Sequence, residues 1–143
     1  AAARQVMASA GYCTLITNGE DGRPQARTMD PFSPEPELTV WMATNAASRK
    51  VDQIRKDPRV TLHYSDPRNA GAVTILGDAE RVSDPAEKAR RWKPGWSRFY
   101  RDENRGPDYL LIRVRPLRLE VVSEPHGLPG DPLTWRAAVV DFR

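Results

Sequence analysis

The chain has 143 residues and a formal net charge of +3, with one cysteine and two histidines, and this length fits a single domain over residues 1–143 ending in a tail from about residue 123. Acidic and basic residues interleave and no run approaches the roughly 18 apolar residues of a membrane span, so neither nucleic acid nor a membrane is an expected partner. One thiol and two imidazoles exclude an internal disulfide and provide no metal-ligand set, which favours a reducing, cytoplasmic location and no metal site.

The first elements in chain order are predicted to be a hairpin and a third strand. β-Branched and aromatic residues at 11–17 predict the first strand, and a glycine-rich turn leads to a second at about 24–30. Arg27 is unusual because a charged side chain stands in the middle of this second strand. After a proline-rich loop, residues 38–43 predict a third strand.

A helix is predicted directly after the third strand. Ser48 is a suitable N-cap, and Val51 and Ile54 have helical apolar spacing. Asp57 precedes Pro58, and the residue before a proline avoids the α region, so the helix should end there.

The rest of the chain predicts more strands and one further helix. Proline at the first helical position predicts that helix from about residue 83 to 92, followed by a short helical piece up to about residue 100. Further strands are predicted at 60–64, at 72–82 with a bend at Gly77, at 109–114 and at 117–122. Many short strands with few helices predict a mainly β fold, a closed antiparallel barrel with flanking helices.

Residues 44–50 carry the clearest chemical signal. Arg49 and Lys50 fall in the first turn of a helix, where the macrodipole is already positive. That placement becomes favourable if free backbone N–H groups, a serine hydroxyl and both cations converge on a phosphate. A solvated pair of surface cations is the alternative, and Arg27 is the second observation that favours the phosphate site.

Residues 41–60, which read WMATNAASRKVDQIRKDPRV, resemble the signature of the pyridoxamine 5′-phosphate oxidase-like split barrels. The resemblance begins near residue 22, runs through 77–82 and, in the general stress protein branch, extends to about residue 122. It implies a six-stranded antiparallel split β-barrel, and a homodimer that binds FMN in clefts between its subunits.

The resemblance also implies a set of FMN-contacting residues. They are Arg27, Thr28 and Met29 on the second strand, Ala43 and Thr44 acting mainly through main chain, Ser48, Arg49 and Lys50 at the phosphate, and Trp92 and Trp96 near the flavin across the subunit interface. For the two tryptophans, ordinary helix packing is an equal alternative.

The function implied is that of an FMN-dependent oxidoreductase acting on an unidentified small molecule, with NAD(P)H as a candidate donor. Ala72 stands where the oxidases carry a flavin-contacting glutamine, and the C-terminus lacks their closing Arg-Leu-x-Pro. Both departures weigh against true pyridoxamine phosphate oxidase activity, and no catalytic residue is assigned. A flavin carrier or stress sensor without turnover, or a barrel that uses deazaflavin or haem, remains an alternative.

Other polar residues are expected to be structural. Cys13 alternates into a strand and should be a buried, inert thiol. His63 lies in a strand and is more often structural than a haem ligand. Asp102, Glu103 and Asp108 are expected to form a solvated loop cluster.

Overall fold

The computed structural model describes residues 1–142 and shows one antiparallel sheet with three α-helices around it. The strands are β1 (Cys13–Asn18), β2 (Pro24–Met29), β3 (Val40–Asn45), β4 (Arg59–Asp66), β5 (Gly71–Val82), β6 (Tyr109–Ser123) and β7 (Ala138–Asp141). The helices are α1 (Ala2–Ala10), α2 (Arg49–Lys56) and α3 (Pro85–Arg91). Within the described residues, no helix is long and apolar enough to cross a bilayer.

The sheet curls into a half-barrel that stays open along one side. Its strand order is β2-β1-β4-β5-β6-β3, and β7 pairs with β6. No backbone pairing within residues 1–142 joins β2 to β3, so the closed barrel expected from the strand count is wrong. The mainly β, six-stranded antiparallel split barrel is confirmed. The open side between β2 and β3 is the mouth of the half-barrel. α2 packs against β1 and β5 beside this mouth.

The core fills the inside of the half-barrel. Alternation along the strands buries Leu15, Leu62 and Ile75 completely, since successive strand residues point to opposite faces. α1 was not predicted, although its alanine-rich sequence has high helix propensity. It covers the core with Val6 and Met7, both buried.

β5 continues through the bend predicted at Gly77, and β6 is one strand where two were predicted, at 109–114 and 117–122. A register shift between Leu76 and Gly77 lies opposite Pro116, which has no N–H to donate to the ladder. A Cβ on Gly77 would overlap the carbonyl oxygen of Arg115. Glycine and proline therefore form an irregularity inside two continuous strands instead of ending them.

Two boundaries differ from the prediction. The third strand begins at Val40, because Leu38 has a φ of 66° and donates its N–H to the carbonyl of Glu35 in a turn. The expected C-terminal tail contains β7, which pairs with residues 118–121 of β6.

Candidate functional site

The N-terminus of α2 has no side-chain cap. Ser48 occupies the N-cap position as predicted, but its hydroxyl donates to the carbonyl of Asn45 at 2.8 Å and accepts no bond from the helix. Amides at the start of a helix have no intrahelical acceptor. The N–H of Val51 donates to the carbonyl of Ser48 at 3.2 Å. The amides of Arg49, which is exposed, and Lys50, which is half-buried, are therefore the ones available to a ligand.

The guanidinium of Arg27 lies at the mouth of the half-barrel, where it contacts β1 and α2. Nη1 donates to Thr17 Oγ1 at 2.7 Å and to the carbonyl of Leu15 at 3.3 Å, and Nη2 donates to Gln53 Oε1 at 3.0 Å. Burial lowers the pKa of Arg27. Within residues 1–142, no carboxylate forms an ion pair with it.

Lys50 brings a second cation to the same mouth. Its Nζ donates to Thr44 Oγ1 at 2.8 Å, and the Ser48 hydroxyl lies 3.4 Å from that oxygen. Burial, and secondarily the charge of Arg27, lowers the pKa of Lys50. Two half-buried cations without a carboxylate partner in the described chain are unfavourable unless an anion joins them.

Sequence reasoning missed the neutral network that holds Arg27. Gln53, only 7% exposed, accepts from Thr17 Oγ1 at 2.5 Å as well as from Arg27, and its Nε2 donates to Gln25 Oε1 at 2.8 Å. One signal was present, since alternation along β1 places Thr17 on the core-facing side of the strand. No local pattern marks Gln53 as the partner of Arg27.

A cleft of about 840 Å³ opens beside the start of α2. Its walls come from the β1–β2 turn, residues 46–49, α2 itself and Arg81 of β5. Arg49 and Arg81 enter this cleft, and neither pairs with a carboxylate in the part of the chain that the structure describes. Arg55 lies in the same cleft but pairs with Asp52 at 2.7 Å. Three carboxylates also line the cleft, but each is paired: Glu20 with Lys56, Asp21 with Arg23 and Asp52 with Arg55. The charges of the cleft that have no ion pair among the described residues are therefore those of Arg49 and Arg81, both positive.

The remaining expected flavin contacts on β2 and β3 do not share one surface. Thr28 is exposed, and it pairs with Thr14 on the outer face of the sheet. The side chain of Met29 is buried in the core, so only its main chain is free to contact a ligand. Thr44 faces the mouth, whereas Ala43 points to the opposite face of β3.

Trp92 and Trp96 lie in an aromatic cluster on that opposite face of β3. The cluster comprises Phe32, Trp41, Trp92, Trp96, Tyr100 and Tyr109, and Ala43 packs against it. The centroids of Trp92 and Tyr109 are 5.2 Å apart, and the Arg91 guanidinium lies 3.8 Å from the Trp41 centroid. Both predicted tryptophans are half-buried by this packing. The structure therefore groups Trp92 and Trp96 with Ala43 and places them on the other side of β3 from Thr44.

Cys13, His63 and Asp108 have the environments of structural residues, and the expectation that Asp108 is solvated is wrong. Cys13 is buried, as predicted, and burial raises the pKa of its thiol to about 12. His63 places Nδ1 2.9 Å from Thr74 Oγ1. Asp108 is not solvated as expected, because its Oδ2 accepts from the N–H of Arg101 at 3.0 Å and its Oδ1 is buried without a partner among the described residues.

Comparison with known proteins agrees with this fold. A protein related to general stress protein 26 of Bacillus subtilis, from Clostridium acetobutylicum, superimposes with a TM-score of 0.78 at 20% identity, covering 96% of this chain and 90% of that one. A pyridoxamine 5′-phosphate oxidase-related, FMN-binding protein from Nostoc punctiforme gives 0.65 at 17% identity, over 97% and 94%. A haem-binding protein from Mycobacterium smegmatis gives 0.69 at 22% identity, over 97% and 56%. No curated protein matches the sequence.

The identities of these structural relatives are low, so they show the fold alone. The family model of pyridoxamine 5′-phosphate oxidase matches residues 1–123, which span the half-barrel, the uncapped helix and the aromatic cluster. With most of its length covered by that model, the chain belongs to the pyridoxamine 5′-phosphate oxidase family.

Proposed function

We propose that this protein binds FMN and uses it in an oxidoreductase reaction on a small molecule. The observation that carries the proposal is the pair of half-buried cations, Arg27 and Lys50, which have no carboxylate partner within residues 1–142. Lys50 lies in the uncapped first turn of α2, and Arg27 contacts Gln53 of the same helix. A phosphate group would compensate both charges and accept hydrogen bonds from the free amides. Membership of the family favours FMN as the source of that phosphate.

The side chains at the start of α2 provide the kinds of hydrogen-bond donor that a phosphate monoester accepts from. Lys50 is a point charge held beside Ser48 by its bond to Thr44. Arg49 is exposed at the cleft and is free to make two parallel bonds to phosphate oxygens. In the proposal Ser48, Arg49 and Lys50 hold the phosphate, and Arg27 supplies a fixed charge from the opposite side of the mouth.

A homodimer is part of the proposal, and the outer face of the sheet supports it. Away from the exposed pair Arg59 and Asp78 at one end of β4 and β5, that face carries uncharged side chains on four adjacent strands, although 29% of the chain is Asp, Glu, Lys or Arg. The residues are Thr14, Ile16, Ala26, Thr28, Thr61, His63, Ser65, Ala72, Thr74 and Leu76. Depletion of charge is the compositional mark of an interface centre. A second copy on this face would cover Thr28 and bring the two cofactor clefts into one assembly.

Sedimentation velocity at micromolar concentration tests the dimer. Thr14→Asp places a charge in the middle of the uncharged face, beside Thr28 and His63, and should dissociate the subunits because an unpaired carboxylate would be buried. Ser33→Asp, in an exposed loop, is the matched control and should remain dimeric. A wild-type monomer with flavin bound would refute the interface.

FMN, when bound, supplies hydride or electron transfer. The residues of this chain then have to bind the phosphate, orient the ring and limit access of water. Ala72 offers the ring no hydrogen bond where the related oxidases carry glutamine, so pyridoxamine 5′-phosphate is not the substrate we propose. NAD(P)H is the candidate electron donor.

The visible spectrum of the purified protein tests the cofactor. We expect flavin absorption, whereas a deazaflavin band or a haem Soret band would refute FMN. Oxidation of NADH by the flavin-loaded protein, measured beside free FMN, then separates an enzyme from a carrier. A rate no higher than that of free FMN with every donor tried would favour the carrier.

A further inference from the structure

Arg27 donates all its side-chain hydrogen bonds to neutral oxygens. They belong to the Thr17 hydroxyl, the carbonyls of Leu15 and Gln25, and the side-chain amide of Gln53. A half-buried arginine more often meets a carboxylate, because burial of an uncompensated charge is costly. Gln53 is itself buried, and it stands where that carboxylate would be expected.

We propose that Gln53 is a specificity-determining residue, which fixes Arg27 through a neutral acceptor and so keeps the positive charge of Arg27 available to the phosphate of the ligand. This inference rests on the proposed function and assigns to one residue the preference for a phosphorylated flavin over its free alcohol. An amide oxygen satisfies the guanidinium N–H without cancelling its charge. A carboxylate at the same place would form an ion pair with Arg27, and the ligand phosphate would have to compete with it.

The charge of Lys50 supports the role proposed for Gln53 as a neutral acceptor. The charge of Arg27 contributes to the lowered pKa of Lys50, so the mouth already carries repulsion between two cations. A glutamate at position 53 would relieve that repulsion in the ligand-free protein. Retaining a neutral residue there keeps the mouth cationic, a state that benefits anion binding and not the stability of the fold.

The substitution Gln53→Glu isolates charge from shape. The two side chains have nearly the same size, and a carboxylate oxygen can accept from Thr17 and Arg27 as Oε1 does now. Only the bond from Nε2 to Gln25 Oε1 is lost. Gln25 is exposed and can rotate its amide to donate instead. Gln53→Met provides the opposite change, since it remains neutral but removes the acceptor.

The experiment measures dissociation constants for FMN and riboflavin by quenching of flavin fluorescence at one fixed ionic strength. Gln53→Glu should weaken FMN binding by about 10- to 150-fold, the value of one charge-assisted hydrogen bond, and should leave riboflavin binding nearly unchanged. Gln53→Met should lose less of the preference for FMN. Gln5→Glu makes the same charge change on α1, away from the cleft, and should have no effect.

If Gln53 had a purely structural role, Gln53→Met would lower the preference for FMN more than Gln53→Glu. If Gln53→Met loses more of the FMN preference than Gln53→Glu, or if riboflavin and FMN weaken equally, the inference is overturned. A wild-type protein that binds riboflavin as tightly as FMN would instead refute the proposed phosphate site. Gln25→Glu, at an exposed position bonded to Gln53, repeats the test if Gln53→Glu does not fold. It should lower the FMN preference in the same direction, and an unchanged preference would overturn the inference.

Discussion

Replacing Lys50 by methionine separates a ligand-binding cation from a structural one. The methionine keeps an unbranched apolar stem and removes the charge together with the 2.8 Å bond to Thr44 Oγ1. A hydrogen bond to a charged group contributes about 1.5–3 kcal/mol, and each 1.4 kcal/mol is tenfold. FMN affinity should therefore fall about 10- to 150-fold. Riboflavin lacks the phosphate, and its affinity should hardly change.

The stability of the same Lys50→Met variant should move little. Loss of the hydrogen bond from the charged Lys50 Nζ to Thr44 Oγ1 costs about 1.5–3 kcal/mol. Burial and the charge of Arg27 both disfavour the charged lysine, as its lowered pKa indicates, so removal of that charge offsets the loss. We expect the free energy of unfolding without flavin to change by less than about 1 kcal/mol in a urea titration. Fluorescence titration with both flavins completes the assay.

Two results would refute this reasoning for Lys50. If the variant binds FMN as tightly as the wild type, Lys50 is not a phosphate ligand. If the variant loses FMN and riboflavin affinity equally while its unfolding midpoint collapses, Lys50 holds the fold at Thr44 and the cationic mouth has no special role. The pH dependence adds a check of sign. A lysine with a lowered pKa in the folded state makes the folded protein gain stability as pH rises from that pKa toward the ordinary value of 10.5. This gain should be absent from the variant.

Three further predictions concern the phosphate site, the fold and the buried thiol. Arg49→Ala should also weaken FMN by about 10- to 150-fold with an unchanged urea midpoint, because Arg49 is exposed; equal loss of riboflavin would contradict this. Gly77→Ala should lower the free energy of unfolding by about 1–3 kcal/mol, because the added methyl group overpacks against the facing strand. Gly95→Ala is the control and should not lower it, since a Cβ there meets no atom within 4 Å. Equal midpoints of the two variants in thermal unfolding would show the reasoning to be wrong. Burial raises the pKa of Cys13 from 9.0 to about 12, so the thiol ionises first in the unfolded chain and the stability of the fold should decline from about pH 9 to pH 12. Cys13→Ala should show a smaller decline across that range. An identical pH profile would show that the Cys13 thiol does not cause the decline.

Local sequence patterns determined much of the half-barrel and of the cationic site. Period-two alternation marked the strands, and the Asp57-Pro58 pair ended α2 at the expected place because proline restricts the residue before it. Arg27 and Lys50 were visible because charges in a strand and in the first helical turn contradict local preference. Such contradictions are readable without a structure, since they depend on neighbours in the chain alone.

Only the tertiary structure decided how distant parts of the chain meet. The open side between β2 and β3 depends on pairing between segments far apart in sequence, and the continuity of β5 and β6 depends on a glycine in one strand facing a proline in the other. Gln53 illustrates the same limit at the scale of one side chain. Nothing near it in sequence indicates that its amide oxygen lies 3.0 Å from Arg27, because that contact exists only after α2 has packed beside β1 and the sheet has curled around the core.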